Sequence, residues 1–242
     1  MKHSLSNISH ELKHHLPLTL VSAGVVTILF AFLPLLHDLS SPTAILASRN
    51  LFHVFHSLHV LLSATATTAM FWRYDRRWVV AVGTGLFGAI AFCGLSDVLF
   101  PYFGGLLLGT RMTFHLCLLE EPVLIWSSAG VGVLFGLSAA EIFTSRRVTQ
   151  TAHSLHVFLS TTASMIYFTS YGLPLWTQFF LPVLLILVAA VLIPCCTSDV
   201  IFPLFLANPA GVHLCGGACL REDAGPAQRE AAETEPSSAK RK

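Results

Sequence analysis

The chain repeats itself, and the repetition is densest in residues that carry chemistry. His56-Ser-Leu-His59-Val-Leu-Leu-Ser63 returns as His153-Ser-Leu-His156-Val-Phe-Leu-Ser160. Cys93-Gly-Leu-Ser-Asp97-Val-Leu-Phe-Pro101 returns as Cys195-Cys-Thr-Ser-Asp199-Val-Ile-Phe-Pro203, and His115-Leu-Cys117 returns as His213-Leu-Cys215. Further upstream, Pro17 with Ser22-Ala-Gly-Val25 resembles Pro122 with Ser128-Ala-Gly-Val131. Such a chain is expected to fold as two similar units. Because His, Cys and Asp persist while the apolar residues between them have diverged, both units are built around the same chemistry, and that chemistry points to a metal.

Composition decides the solvent. The chain is 54% hydrophobic and 11% charged, and ten of its charged residues fall after Leu220, so the body is nearly free of charge. Apolar runs of about bilayer length lie at 17–36, 50–72, 78–100, 122–143, 151–171 and 177–200. They predict an all-α integral membrane protein with six transmembrane helices. Three spans per copy is an odd number, so the second copy runs through the membrane upside down, giving two inverted-topology three-helix repeats.

The expected divisions are an N-terminal segment at 1–16, repeat 1 at 17–118, repeat 2 at 119–220 and a disordered tail at 221–242. The opening segment carries His3, His10, Glu11, Lys13, His14 and His15, too polar for the core of a cleavable signal peptide. Arg73, Arg76 and Arg77 share a side with Arg146, Arg147, Lys2, Lys13 and the basic tail in a six-span arrangement. Both termini are therefore expected in the cytoplasm, with the chain in the plasma (inner) membrane. A net charge of +1 gives no argument for nucleic acid. The expected partners are a metal ion and the lipid bilayer, and the architecture is compatible with a homo-oligomer.

Helical spacing groups the candidate ligands. His56 and His59 are three apart, and Cys93 and Asp97 four apart, so each pair shares a helix face. Read from the span limits above, the first set lies near the outer surface, with His53 one turn earlier where the second copy has Gln150. His153, His156, Cys195 and Asp199 form the mirror set near the cytoplasmic surface. His115 with Cys117, and His213 with Cys215, each follow a Phe-Pro break and are expected to fold back over their clusters. Nitrogen, sulfur and carboxylate donors together suit zinc, iron or another divalent transition metal, whereas calcium and magnesium prefer oxygen. Cys196 and Cys219 on the inner side keep copper in the reckoning.

Blander readings apply to several residues. Asp97 and Asp199 also suit helix ends, with Pro101 and Pro203 stopping the spans just beyond. Ser63, Thr65, Thr67, Thr68 and their counterparts Ser160, Thr161, Thr162 and Ser164 suit close helix packing better than a path. Glu120, Glu121, Asp38 and Glu141 read as solvated interfacial charges, and His14 and His15 as headgroup contacts. Cys93 and Cys195 read as poor disulfide partners.

No His-Glu-x-x-His motif and no phosphate-binding Gly-rich loop occurs, so neither a zinc-dependent membrane protease nor an ATP-driven pump is supported. The leading expectation is a transporter or channel for a divalent transition-metal ion rather than an enzyme. A haem- or metal-containing redox protein, with His56 or His59 facing His115, is the alternative. A non-haem di-metal oxidase ranks third, because its ligands must converge on one side.

Overall fold

A computed structural model of the chain describes residues 2–36, 41–142, 146–172 and 176–207. The described residues form nine α-helices and no strand: α1 (Lys2–Leu36), α2 (Pro42–Tyr74), α3 (Trp78–Gly94), α4 (Phe100–Leu107), α5 (Cys117–Glu120), α6 (Pro122–Ser138), α7 (Arg146–Tyr171), α8 (Phe180–Cys196) and α9 (Phe202–Ala207). A π-helical turn, Leu95–Leu99, joins α3 to α4, and a second, Thr197–Ile201, joins α8 to α9. The tail 221–242, His213, Cys215 and Cys219 lie outside the described residues.

Local chemistry sets the ends of α2. The Ser41 hydroxyl accepts the Ala44 N–H at 3.2 Å, and Pro42 opens the helix where no N–H is needed. At the other end Asp75 turns extended, and its N–H reaches back to the Phe71 carbonyl at 2.9 Å. The connection to α3 is tied by Arg77, whose N–H and guanidinium donate to the Asp75 carboxylate and hold that carboxyl below its usual range.

The two π turns correct the expectation of a Phe-Pro break. Proline has no N–H and its ring crowds the carbonyl four residues earlier, which in α-helical register would be that of Asp97. Widening the turn, with the Phe100 N–H bonded to the Leu95 carbonyl five residues back, accommodates Pro101, and the helix continues to Leu107. Thr197–Ile201 stands in the same place before Pro203. Neither proline ends its span.

α2 and α7 form the centre and run antiparallel. Ser48 meets Ser170, Phe52 meets Tyr167 and His59 meets His156, a series in which one number rises as the other falls. α6 lies tight against α2: a methyl group added at Gly136 would stand 2.7 Å from the Thr65 carbonyl oxygen, and one at Gly132 would strike the Leu61 carbonyl. Gly132 and Gly136 are four apart, the spacing at which small residues let two helix backbones approach. The Thr65 hydroxyl bonds the Gly132 carbonyl across this contact at 3.1 Å. α1 packs on α7 and α8. Large apolar side chains, Val21, Phe32, Phe87, Val123, Leu134 and Leu181 among them, face outward.

Four segments have the length and composition to cross a membrane: His15–Phe32, Pro42–Tyr74, Trp78–Leu107 and Trp176–Cys195. The sequence expectation of six is met in part. α6 has 17 residues, about 26 Å at 1.5 Å per residue, and falls just short. α7 is long enough but rich in Ser, Thr and His. Its stretch from Ser160 to Phe168 is wholly buried, so the bundle and not hydrocarbon surrounds it.

Candidate metal centre

His59 lies at the middle of α2, and Cys93 at the middle of the continuous Trp78–Leu107 segment. His156 lies near the middle of α7, and Cys195 near that of the Phe180–Ala207 stretch. His59, Cys93, His156 and Cys195, expected in separate outer and inner clusters, come together near the middles of their helices. The sequence reading started α2 at residue 50 and stopped the third span at residue 100. The helix begins at Pro42, and the third span runs through its proline to Leu107, which moves both sets of ligands from the ends to the centre.

The cluster is built around His59, which has no exposure. Its Nδ1–H donates to Asp97 Oδ2 at 2.7 Å. Its Nε2 lies 3.6 Å from Cys93 Sγ and 3.8 Å from Cys195 Sγ. The His156 ring packs against it, centroids 4.5 Å apart. One ligand atom each from His59, His156 and Cys195 fall within 4.8 Å of one another, as do those of His56, His59 and Asp97. These buried groups could hold a metal ion.

Asp97, expected as a ligand, lies in one of these groups and also binds both of its imidazoles. It is fully buried on the first π turn, and its Oδ2 also accepts His56 Nδ1–H at 2.8 Å. The Ser96 and Ser160 hydroxyls lie 2.7 Å and 3.1 Å from Oδ1. Each serine has one hydroxyl hydrogen to share, Ser96 between Asp97 and the Cys93 carbonyl and Ser160 between Asp97 and the Ser96 hydroxyl. What Asp97 does is fix two imidazoles with Nδ1 protonated and Nε2 as the available donor, the arrangement by which carboxylates orient metal-binding histidines. The backbone of Asp199 occupies the corresponding position on the second π turn; its side chain lies outside the description.

Hydrogen bonds repeat between the halves. Ser63 meets Ser198 at 3.1 Å, and the counterpart pair Ser160 and Ser96 meets at 3.3 Å. Thr67 donates to the Ser198 carbonyl at 3.2 Å, and Ser164 donates to the Ser96 carbonyl at 3.1 Å. Each bond joins the second span of one copy to the third span of the other.

His53, His115 and Cys117 form a separate group near the N-terminal half of α2, again with one ligand atom each within 4.8 Å of the others. The segment bearing His115 is pinned to α7: the Thr113 N–H bonds the Tyr171 carbonyl at 2.6 Å, and the Tyr167 hydroxyl accepts the His115 N–H at 3.2 Å. Tyr171 stacks on the His115 ring at 4.8 Å. Glu120, expected as a solvated charge, remains half exposed, and its Oε2 lies 2.7 Å from His115 Nδ1. Burial pushes the Cys117 thiol up to about 12, so it stands as S–H beside His53 Nδ1 at 3.7 Å. On the opposite side His15, expected at the headgroups, lies against His153 at 4.4 Å, and His153 lies 6.5 Å from His156. Imidazoles thus run in file from His115 and His53 through His56, His59 and His156 to His153 and His15.

The roles of Ser96 and Ser198 were missed in the sequence, although both stand immediately before the repeated Asp. Cys93, Cys117 and Cys195 are free thiols. The chain matches no protein-family model, no curated protein and no solved structure. Fold and site define a helical membrane protein with a buried His, Cys and Asp centre capable of holding a metal.

Proposed function

We propose that the protein is an integral membrane carrier of a divalent transition-metal ion, zinc foremost, which binds at one mid-depth site shared by two inverted repeats. The observation that carries this reading is the file of imidazoles through the buried interior of the bundle, with paired thiols at its centre. Ionisable groups within a membrane are costly, and they mark ion pathways or cofactor sites.

We take as ligands His59 through Nε2, His156 and Cys195, whose donor atoms converge, with Cys93, 3.6 Å from His59 Nε2, as the fourth; each repeat then gives one His and one Cys. Two imidazoles and two thiolates make a tetrahedral set suited to zinc; copper(I) is the next best fit, and iron is less favoured. Asp97 orients His59 and strengthens it as a donor. Contact between the equivalent residues His59 and His156, on antiparallel helices, supports a pseudo-two-fold axis lying in the membrane plane. Crossed pairing of Ser63 with Ser198 and of Ser160 with Ser96 supports the same axis. Such symmetry offers two equivalent ways to open a central site, one toward each side. We take α6 and α7 as the remaining two spans, with both termini cytoplasmic. Cysteines introduced at Asp75 and Gly109 are then labelled from opposite sides.

Haem is a poorer fit. Phe52 stacks on His56 at 5.4 Å and meets the edge of His115 at 6.1 Å, so a phenyl ring sits where a macrocycle would stand between those histidines. Convergence of the ligands removes one objection to a di-metal oxidase, but such centres rely on several carboxylates. Here the described cluster has Asp97 as its one carboxylate.

The test is zinc flux into proteoliposomes holding an indicator dye, beside metal content measured on the same protein. Flux that is lost in His59→Ala and Cys195→Ser supports the carrier. Stoichiometric zinc without flux in the unaltered protein rejects it in favour of a structural or redox centre.

A further inference from the structure

We infer that His53, His115 and Cys117 form a second transition-metal site, distinct from the central one, at which an ion is loaded from one face only. The existence of the site rests on its own geometry; its role in loading rests on the carrier reading above.

Three observations meet here. The three side chains bring one ligand atom each within 4.8 Å of the others, on separate parts of the chain: α2, the segment before α5, and α5. His115 is 8% exposed, and its Nε2 has no hydrogen-bond partner among the described residues. A buried imidazole nitrogen without a partner is costly unless something binds there. Its other nitrogen is held by Glu120 at 2.7 Å, which leaves Nε2 as the donor. Tyr171 stacked on one side and the Tyr167 bond to its N–H hold the ring in place without an ion.

Three protein donors leave a fourth tetrahedral position open, the form that permits exchange of water or of a passing ligand. The central set proposed above adds Cys93, beside His59, to its three convergent donors. The Glu120 carboxylate is 54% exposed, which connects the site to the outside of the bundle. His53 and His59 are six residues apart on α2, about 9 Å along the axis, so an ion released here has a short step inward. The second repeat carries Gln150 where the first has His53, so this three-donor site has no full counterpart at the other end of the file. Loading would then be one-sided in a protein whose centre is symmetric.

The experiment titrates the full-length protein in lipid nanodiscs with cobalt(II), which reports thiolate ligation by its charge-transfer absorption. Two equivalents are expected in the unaltered protein. Cys117→Ser and His115→Ala should each bind one, with absorption in Cys117→Ser falling by about one third because one of three thiolates is gone. Glu120→Gln, which preserves shape, should weaken only the second equivalent, by about 10- to 100-fold. Two equivalents retained in both Cys117→Ser and His115→Ala, or unchanged affinity in Glu120→Gln, would overturn the assignment. Cys93→Ser with Cys195→Ser tests the central site separately: loss of one equivalent there leaves this site standing, and two equivalents retained would reject the central reading alone.

Discussion

His59 and His156 hold equivalent positions in the two copies of the repeated motif, and their rings touch, with centroids 4.5 Å apart. A centre built there belongs to both halves, and damage to either half removes it.

His59→Ala and His156→Ala should therefore each abolish binding at the central site, weakening it by more than about 100-fold, beyond what outer-sphere changes cost. Metal content after equilibrium dialysis measures this. Two independent half-sites would instead leave one His variant with its partner site occupied.

Asp97→Asn should lower central-site affinity by about 10- to 100-fold while leaving helical content unchanged by circular dichroism. The amide keeps one acceptor oxygen but loses the charge that favours Nδ1–H on both His56 and His59. Affinity equal to that of the unaltered protein would assign Asp97 to packing alone.

The paired serines give a test of symmetry by stability. Ser63→Ala and Ser160→Ala each remove a buried hydroxyl that bonds across the halves, at a cost of about 1 kcal/mol each. Ser160→Ala should also weaken metal binding, because its hydroxyl reaches Asp97 at 3.1 Å. Thermal unfolding in detergent, with and without zinc, separates the two effects.

Gly136→Val should disturb the contact of α6 with α2 and cost about 1–3 kcal/mol, the range for overpacking a tight interface. The obstruction is the Thr65 carbonyl and the Thr68 side chain, and a backbone carbonyl cannot rotate away. Gly130→Val, where an added carbon meets nothing within 4 Å, is the matched control and should leave the unfolding midpoint unchanged.

Much of this was legible in the chain. The helical class, the repeat, and the pairing of His56 and His59 with Asp97 follow from spacing and composition. The place of the ligands along their helices was not legible, because apolar windows measure where hydrocarbon is tolerated and helices run beyond them: Pro42 to Arg49 precede the run that marks the start of α2. Pro101 reads as a stop in isolation, and only the π turn before it shows why the helix goes on. Glu120 reads as solvated because its partner His115 is five residues away, across the start of α5. The contact of Asp97 with Ser160 joins residues 63 apart in the chain, which spacing within one helix does not reveal.

The buried polarity of α7 bears on how the chain is made. A helix bearing His153, His156, Ser160, Thr161, Thr162 and Ser164 leaves the translocon at a disadvantage if lipid is its first neighbour, since polar side chains partition poorly into hydrocarbon. α2 and α6 precede it in the chain, and α2 supplies its central contact. In the six-span arrangement proposed above, biogenesis is ordered: α2 must remain near the exit site until α7 arrives, and the integration of α7 depends on that partner.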